Sequence, residues 1–175
     1  MKLLKSRKAL STVVTTLIIL VVSVLLATVV TFYAINVTTT RVQEESLQIA
    51  NLHVWCDSGG IASAAFVITN TGGRDAVIDK ITVRGVKATT IYYNVTSGMI
   101  DPAYARNSSD IESWGNFSVL NPGKSLVLPS GERMVVYLFD LSHLSTSDIG
   151  VPVSVVVFTA NAQYYKETNV EAHIP

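Results

Sequence analysis

Few residues of this 175-residue chain stand in a pattern that could perform chemistry. His53, Cys56 and Asp57 are close enough in sequence to bind one metal ion, but a zinc site usually takes four ligands and the chain has a single cysteine. The sequence also lacks the Gly-x-Ser-x-Gly, His-Glu-x-x-His and Gly-x-x-x-x-Gly-Lys motifs of common enzyme classes. We therefore expect no enzyme activity, no metal and no cofactor, and we expect Cys56 to be a small buried apolar residue.

Four asparagines stand in the pattern that accepts an N-linked glycan. The pattern requires a hydroxyl residue two positions after the asparagine and no proline between them. Asn107 is the best candidate because it lies in a polar segment, and Asn36 is the poorest because a glycan there would block helix packing. The four candidates are Asn36, Asn94, Asn107 and Asn116.

Paired aromatic residues offer a second kind of surface. Tyr92-Tyr93 and Tyr164-Tyr165, together with Trp55 and Trp114, would form an adhesive patch if they were exposed. In a strand, however, alternate side chains point to opposite faces, so one member of each pair is expected in the core. Ordinary packing and an adhesive patch both remain open at this point.

The amino-terminal segment must hold the rest of the chain in place. Residues 1–9 contain only basic charges, and no charged residue follows until Arg41. The apolar run Leu10–Ile35 is longer than the roughly 20 residues that cross a bilayer and longer than the apolar region of a secretory signal. In lipid such a segment must be a helix, with its basic flank on the cytoplasmic side.

The helix is predicted to continue beyond the membrane. Ile35, Val42 and Ile49 are spaced by seven residues among polar neighbours, which is typical of a one-sided apolar stripe. We therefore predict one helix from about Ser11 to Asn51. Its first part is apolar all round and must be buried on every side, either by lipid or by other copies of the helix.

After residue 51 the pattern changes to short β-branched runs separated by turn residues. This rhythm predicts an all-β sandwich over residues 52–175, large enough to form its own core. Met99–Gly115 has no strand period and is predicted to be a long surface loop. The predicted strands are Ile61–Thr69, Ala76–Val83, Thr89–Val95, Phe117–Leu120, Ser125–Leu128, Arg133–Phe139, Val151–Ala160 and Gln163–Glu171.

The junction of the basic flank and the apolar run resembles a known signal. Lys8-Ala9-Leu10-Ser11, followed by the apolar run, is similar to the class III signal peptide of archaeal type IV pilins. The resemblance implies that a prepilin peptidase cuts between Ala9 and Leu10, with Lys8 as the basic residue before the cut. Residues 1–9 are then a cleaved leader, and the transmembrane helix over 10–51 survives. Val14 stands where bacterial pilins usually have a glutamate, so the bacterial docking mechanism does not carry over.

The second half carries a shorter resemblance. Phe66–Gly72 and Ile78–Ile81 are similar to segments in the immunoglobulin-like heads of archaeal pilins and archaellins. The implied fold class is α+β: a long N-terminal hydrophobic α-helix followed by an all-β immunoglobulin-like sandwich head, as in a lollipop-shaped pilin.

Together these features predict a structural glycoprotein of an extracellular filament. The resemblance implies a homopolymer for surface adhesion, assembled with a prepilin peptidase, an assembly ATPase and a membrane platform protein. The precursor would lie in the cytoplasmic membrane with its N-terminus inside. Equal numbers of basic and acidic residues, 13 each, give no basic surplus for nucleic acid. The residues expected to form the filament core are Val13, Leu17, Leu20, Val21, Val24, Leu25, Val29, Phe32 and Ile35.

Two alternatives fit parts of the sequence. An archaellin of a motility filament shares the leader, the helix and the sandwich, although Ala9 and the threonines after it favour a pilin. A single-pass membrane-anchored binding module, attached to the cell-surface layer or a sugar, would be neither cleaved nor polymerised. It would account for the long loop but not for the Lys8–Ser11 junction.

Overall fold

The computed structural model describes residues 2–42, 44–96, 101–121 and 123–173. The chain divides into two compact units, Met1–Val42 and Gln43–Pro175. We call the second unit the head. The division falls earlier than the predicted boundary between residues 51 and 52.

The first unit is one helix, α1, Lys2–Val42. The prediction of a helix from about Ser11 to Asn51 was wrong at both ends, because the helix begins at Lys2 and ends at Val42, and residues 47–51 belong to the first strand of the head. Ile49 continues the seven-residue spacing of Ile35 and Val42, but Leu47 and Ile49 alternate with exposed or half-buried neighbours as a strand requires. Ile49 pairs with Ile68 and both side chains are buried, which favours the strand over the helix.

The described part of the head contains ten strands, an α-helix and a short 3₁₀ helix. The helix α2 is Ser108–Trp114 and the 3₁₀ helix is Thr146–Asp148. All eight predicted strands are present, within about two residues at their ends. The strands are β1 Leu47–Asp57, β2 Ala62–Asn70, β3 Ala76–Val83, β4 Val86–Lys87, β5 Thr90–Thr96, β6 Ser118–Val119, β7 Leu126–Leu128, β8 Arg133–Phe139, β9 Pro152–Thr159 and β10 Gln163–His173.

The strands form a large mixed sheet that is curved into a half-barrel. Their order is β4-β3-β9-β10-β1-β2-β8-β5-β6, and β7 pairs with β3 beside this path. β1 and β10 run parallel, with Val54 opposite Val170, whereas the other pairs are antiparallel. The fold is therefore α+β, with a helix followed by a β-rich head. The pairing joins every strand into one sheet, so the immunoglobulin-like sandwich stays a prediction.

Two strands at the centre of the sheet are buried on both faces. In β2 and β8, alternate side chains enter a main core, which includes Phe66, Ile68 and Val136. The side chains between them, such as Val67 and Tyr137, enter a second cluster. This double burial explains why both strands are continuous apolar runs rather than alternating ones.

The second cluster is closed by residues 101–117, which we call the cover segment. The prediction that Met99–Gly115 is a long surface loop was wrong for its described part, residues 101–115, which contains α2 and buries the side chains of Ala105 and Ile111 against the sheet. Asn107 and Asp110 form a capping box at the start of α2. Three hydrogen bonds fix the segment to the sheet: Ser63 Oγ to the Ala105 carbonyl (2.7 Å), Tyr137 OH to the Ala103 carbonyl (3.0 Å) and Tyr92 OH to Glu112 Oε1 (2.8 Å).

Candidate functional site

The segment Leu10–Thr39 of α1 exposes apolar side chains on all sides. Within the described residues, one segment is long and apolar enough to cross a membrane, the 30-residue stretch Leu10–Thr39. Each residue predicted to form the filament core is exposed in the isolated chain, from 45% for Val21 to 70% for Phe32. A surface of this kind needs a cover of lipid or protein. The full set is Val13, Leu17, Leu20, Val21, Val24, Leu25, Val29, Phe32 and Ile35.

The hydroxyl groups of α1 do not disturb this apolar surface. Thr28 Oγ1 donates to the Val24 carbonyl (2.8 Å) and Thr31 Oγ1 to the Ala27 carbonyl (2.7 Å). Thr15, Ser23 and Thr38 make the same bond to the carbonyl four residues earlier. Because these donors are satisfied within the helix, they do not need water when the helix enters an apolar environment.

The predicted cleavage site lies near the start of the helix. Lys8 and Ala9 belong to the helical backbone of α1, and the Leu10 side chain is 69% exposed. The bond between Ala9 and Leu10 is therefore helical here.

The chain enters the head through residues 44–46, which we call the connector. The turn after β2 holds it: the backbone N–H of Thr71 donates to the Ser46 carbonyl (2.8 Å), and the N–H of Gly73 donates to the Glu44 carbonyl (3.2 Å). From the carboxy-terminal hairpin, Asn161 Nδ2 donates to Glu45 Oε2 (2.7 Å) and Tyr164 OH to the Glu45 carbonyl (3.2 Å). The sequence indicated a turn at residues 70–73 but not its contact with the connector.

Gly72 is the tightest point of this contact. A Cβ atom there would lie 2.5 Å from the Glu44 carbonyl oxygen and 2.6 Å from the Ser46 backbone nitrogen. Both neighbours are main-chain atoms, which cannot rotate away as a side chain can. The absence of a side chain at residue 72 is thus what allows the turn to contact the connector so closely.

The glycosylation candidates differ in accessibility. Asn107 and Asn116 are exposed on either side of α2, whereas Asn94 is half-buried on β5. Asn36 is exposed on α1 within the candidate membrane span. Asn107 uses its side-chain oxygen to accept from the Asp110 backbone N–H (3.3 Å). A glycan attaches through the amide nitrogen, so this cap and a glycan at Asn107 are chemically compatible.

Most of the paired aromatic residues serve packing. Tyr92 enters the second cluster and Tyr93 packs against the main core, because β5 is covered on both faces. Trp55 is 8% exposed and its ring meets Tyr104 edge to face at 5.6 Å. Tyr165 and Trp114 are exposed, at 59% and 43%, so only single members of the set reach the surface.

The three residues that could have shared a metal ion take different partners. His53 Nδ1 lies 3.0 Å from Glu171 Oε1, and its ring stacks on Trp55. Cys56 belongs to the main core, and burial raises the pKa of its thiol, which keeps the thiol protonated and unreactive. Asp57 is buried and pairs with Arg106 Nη2 at 3.0 Å. The burial expected for Cys56 is confirmed.

Burial also shifts the tyrosines of the second cluster. It raises the pKa of Tyr137 to about 12. Burial likewise raises the pKa of Tyr104. The hydrogen bond to Glu112, more than burial, raises the pKa of Tyr92. These phenols remain neutral at physiological pH, and those of Tyr137 and Tyr92 donate hydrogen bonds.

No protein-family model matches the chain, and a comparison with curated proteins finds no match. Among solved structures, the chain is similar to the ligand binding region of Serine-glutamate repeat protein A (SgrA) of Enterococcus faecium. The match has 13% identity and a TM-score of 0.32, and it covers 75% of this chain and 100% of that one.

Two further matches are to parts of larger chains. One is to Pseudomonas fluorescens alkylpurine DNA glycosylase AlkC bound to DNA containing an abasic site analog, with 13% identity, a TM-score of 0.30, and coverage of 72% of this chain and 30% of that one. The other is to β-glucosidase from Listeria innocua in complex with glucose, with 13% identity, a TM-score of 0.28, and coverage of 75% and 16%. At such low TM-scores these similarities carry no functional argument, and function must be argued from the residues of this chain.

Proposed function

We propose that the chain is the structural subunit of an extracellular type IV pilus-like filament that serves surface adhesion and has no catalytic role. The observation that carries the proposal is the segment Leu10–Thr39 of α1, which exposes apolar side chains on every side and whose Thr15, Ser23, Thr28 and Thr31 hydroxyls bond to the helix backbone. Such a helix can lie in lipid and can later pack against copies of itself without a new polar partner.

The proposed assembly begins in the membrane. A prepilin peptidase removes residues 1–9, and an assembly ATPase with a membrane platform protein extracts the subunit. Lipid is about as apolar as leucine, so close packing must favour helix contacts within the membrane. Outside it, the same surface would meet water, and burial at about 25 cal/mol per Å² would hold the subunits together. A contact between identical subunits that does not close on itself produces a helical filament.

Removal of the leader has an electrostatic reason. Lys2, Lys5, Arg7 and Lys8 would otherwise bring four positive charges per subunit to the filament core. Burying charges without partners is costly. In the proposed filament the helices fill the interior, and the head, as an immunoglobulin-like sandwich bearing N-linked glycans, faces outward.

The contacts at the connector suit a subunit that bears load. Backbone hydrogen bonds from Thr71 and Gly73, and side-chain bonds from Asn161 and Tyr164, attach residues 44–46 to two different parts of the sheet. Tension that reaches the head through the connector would therefore be shared by several strands. This supports a filament subunit without distinguishing a pilin from an archaellin of a motility filament.

A membrane-anchored binding module is the second candidate. The segment Leu10–Thr39 is long enough to serve as a permanent span. In that case residues 1–9 would remain on the chain, and the exposed surface of α1 would stay in lipid.

Processing and polymerisation can be tested together. Fibres are sheared from the cells, and the amino terminus of the subunit is determined by mass spectrometry. We expect a chain that starts at Leu10 in the fibre fraction. A chain that starts at residue 1 and occurs only in the membrane fraction would refute the filament and favour the anchored module.

A pair of matched variants tests the role of the helix surface. Val21→Asp places a charge in the proposed filament core and should abolish fibres while the head remains folded. Val127→Asp makes the same change at a position in the head that is 50% exposed, and it should leave the fibre yield unchanged. Normal fibres from Val21→Asp would contradict the proposed packing.

A further inference from the structure

The head has a cleft of mixed polar and apolar lining at the end of β1 that lies farthest from the connector. It has a volume of about 590 Å³, within the range of small-ligand sites. Its walls come from the turn between β1 and β2, the start of β5, the chain after β8 and the cover segment.

The charged groups of the cleft are held in fixed positions. Arg106 lines one wall, and buried Asp57 holds its guanidinium at 3.0 Å. On the other side, Asp140 accepts a hydrogen bond from Thr90 Oγ1. Asp140 also has a left-handed backbone, with φ of 59°. Aspartate is one of the residue types that adopt this conformation most readily.

The balance of charge excludes anionic ligands. The positive charge of Arg106 is neutralised by Asp57, and Asp140 adds a negative charge, so the cleft has no surplus to attract a phosphate or carboxylate. The remaining polar lining consists of hydroxyls and an amide, which both donate and accept hydrogen bonds. Ile61, 43% exposed, adds an apolar surface.

We propose that this cleft binds a neutral saccharide. A sugar ring presents hydroxyls that donate to Asp140 and accept from Arg106, while its C–H face can lie on Ile61. Saccharide binding would give the proposed adhesive role a ligand class, and its biological meaning rests on that proposed role. The binding itself requires only the folded head.

The saccharide has two possible sources with the same chemistry. It belongs to another surface, or it is a glycan attached to this chain at Asn107, which lies on the rim of the cleft. The Asn107 side-chain oxygen is fixed by the Asp110 N–H, so a glycan on its nitrogen would leave from a defined position. Ser109→Ala removes the glycosylation pattern without altering a residue that lines the cleft.

The binding experiment uses the full chain in a detergent without a sugar headgroup, since a maltoside would compete. Saturation-transfer NMR is recorded with glucose, galactose, mannose and N-acetylglucosamine, and with glucuronate as the anionic counterpart. We expect transfer to at least one neutral sugar and none to glucuronate. Asp140→Asn removes a charged hydrogen-bond acceptor, and Ser142→Ala removes a hydroxyl that lines the cleft. Each variant should bind sugar about tenfold more weakly, as expected for the loss of one hydrogen bond.

The control is Asp79→Asn, the same substitution at an exposed position on β3 outside the cleft, which should bind like the unaltered chain. Near-ultraviolet circular dichroism confirms that each variant is folded. If the chain purified from native cells binds added sugar, the cleft is open to a saccharide from another surface. If only the Ser109→Ala variant binds added sugar, the chain's own glycan at Asn107 fills the cleft. Either result supports the proposal.

The proposal is overturned if neither chain binds any neutral sugar, or if Asp140→Asn and Ser142→Ala both bind as well as Asp79→Asn. These outcomes are independent of filament assembly, because binding is measured on dispersed subunits. Fibres that start at Leu10 combined with no sugar binding would reject the cleft alone. Sugar binding by a chain that forms no fibres would reject the filament alone.

Discussion

Arg106 Nη2 lies 3.0 Å from the carboxylate of Asp57 and joins the cover segment to the end of β1. The two partners differ in exposure, since the side chain of Asp57 is 6% exposed and that of Arg106 is 51% exposed. The buried partner therefore depends on the accessible one. A buried carboxylate without a cation is much less stable than an exposed one.

Removal of this cation should destabilise the head. We expect Arg106→Ala to lower the free energy of unfolding by about 2 kcal/mol, less than for a fully buried pair because Arg106 is half exposed. Urea unfolding followed by fluorescence of Trp55 and Trp114 measures the change. Arg74→Ala removes an exposed arginine and serves as the control. Equal losses in the two variants would mean that the ion pair contributes nothing.

Gly72 should tolerate no side chain. In Gly72→Ala the new Cβ would lie 2.5 Å from the Glu44 carbonyl, so the turn or the connector must move. We expect a loss of about 2 kcal/mol or more in the free energy of unfolding. Gly59→Ala is the matched control, since its Cβ meets only side-chain atoms, the nearest being Arg106 Nη2 at 3.3 Å. Unfolding midpoints that agree for the two variants would contradict the tight contact.

The parts of the fold that sequence predicts well are those with local signals. β3 and β8 were predicted with their observed ends, because each is a β-branched run between turn residues. β1 was not predicted. Ile49 satisfies the helical spacing of Ile35 and Val42, whereas Leu47 with Ile49 satisfies a strand spacing, and the choice depends on pairing with β2, about twenty residues away.

The functionally interesting features of the head depend on pairs of residues that are far apart in sequence. Asp57 and Arg106 are far apart in sequence, and neither has a neighbour that signals the other. The helix α2 did have a local signal, since Asn107 and Asp110 have capping-box spacing, but the polar composition of the segment concealed it. Buried Ile111 faces a cluster that exists only after the sheet has formed.

Tyr137 should make the head sensitive to alkaline pH. Its pKa of about 12 in the folded state lies above the ordinary value of about 10. Its contribution to stability is therefore complete below pH 10 and is lost as pH rises towards 12, because the folded state then holds a proton that the unfolded state has released.

The variant Tyr137→Phe isolates this effect. At neutral pH it should be less stable by about 1 kcal/mol, since the hydrogen bond to the Ala103 carbonyl is lost. The difference between wild type and variant should shrink as pH rises from 10 to 12. Unfolding curves at several pH values measure it, and a constant difference across that range would contradict the assigned shift.

The hydroxyl of Thr28 should be dispensable for assembly. It bonds to the Val24 carbonyl of its own helix, and valine has nearly the same shape. We expect Thr28→Val to give a normal fibre yield, whereas Val21→Asp gives none. Quantification of sheared fibres checks this. A large fall in yield for Thr28→Val would mean that the hydroxyl bonds to a neighbouring subunit in the filament.

Asn107 combines a helix cap with a candidate glycosylation site, and three substitutions separate the two. Asn107→Ala removes both and should lower the free energy of unfolding by about 1 kcal/mol, the usual value of a lost N-cap. Asn107→Asp removes the amide nitrogen but keeps an oxygen that can accept from the Asp110 N–H, so its stability should stay close to that of the unglycosylated wild type. Ser109→Ala retains the cap and removes only the glycosylation pattern.

Chains produced without glycosylation are compared by urea unfolding, and chains from native cells by mass. If Asn107→Asp is as unstable as Asn107→Ala, the cap does not contribute as the structure indicates. This conclusion does not depend on whether the native chain carries a glycan.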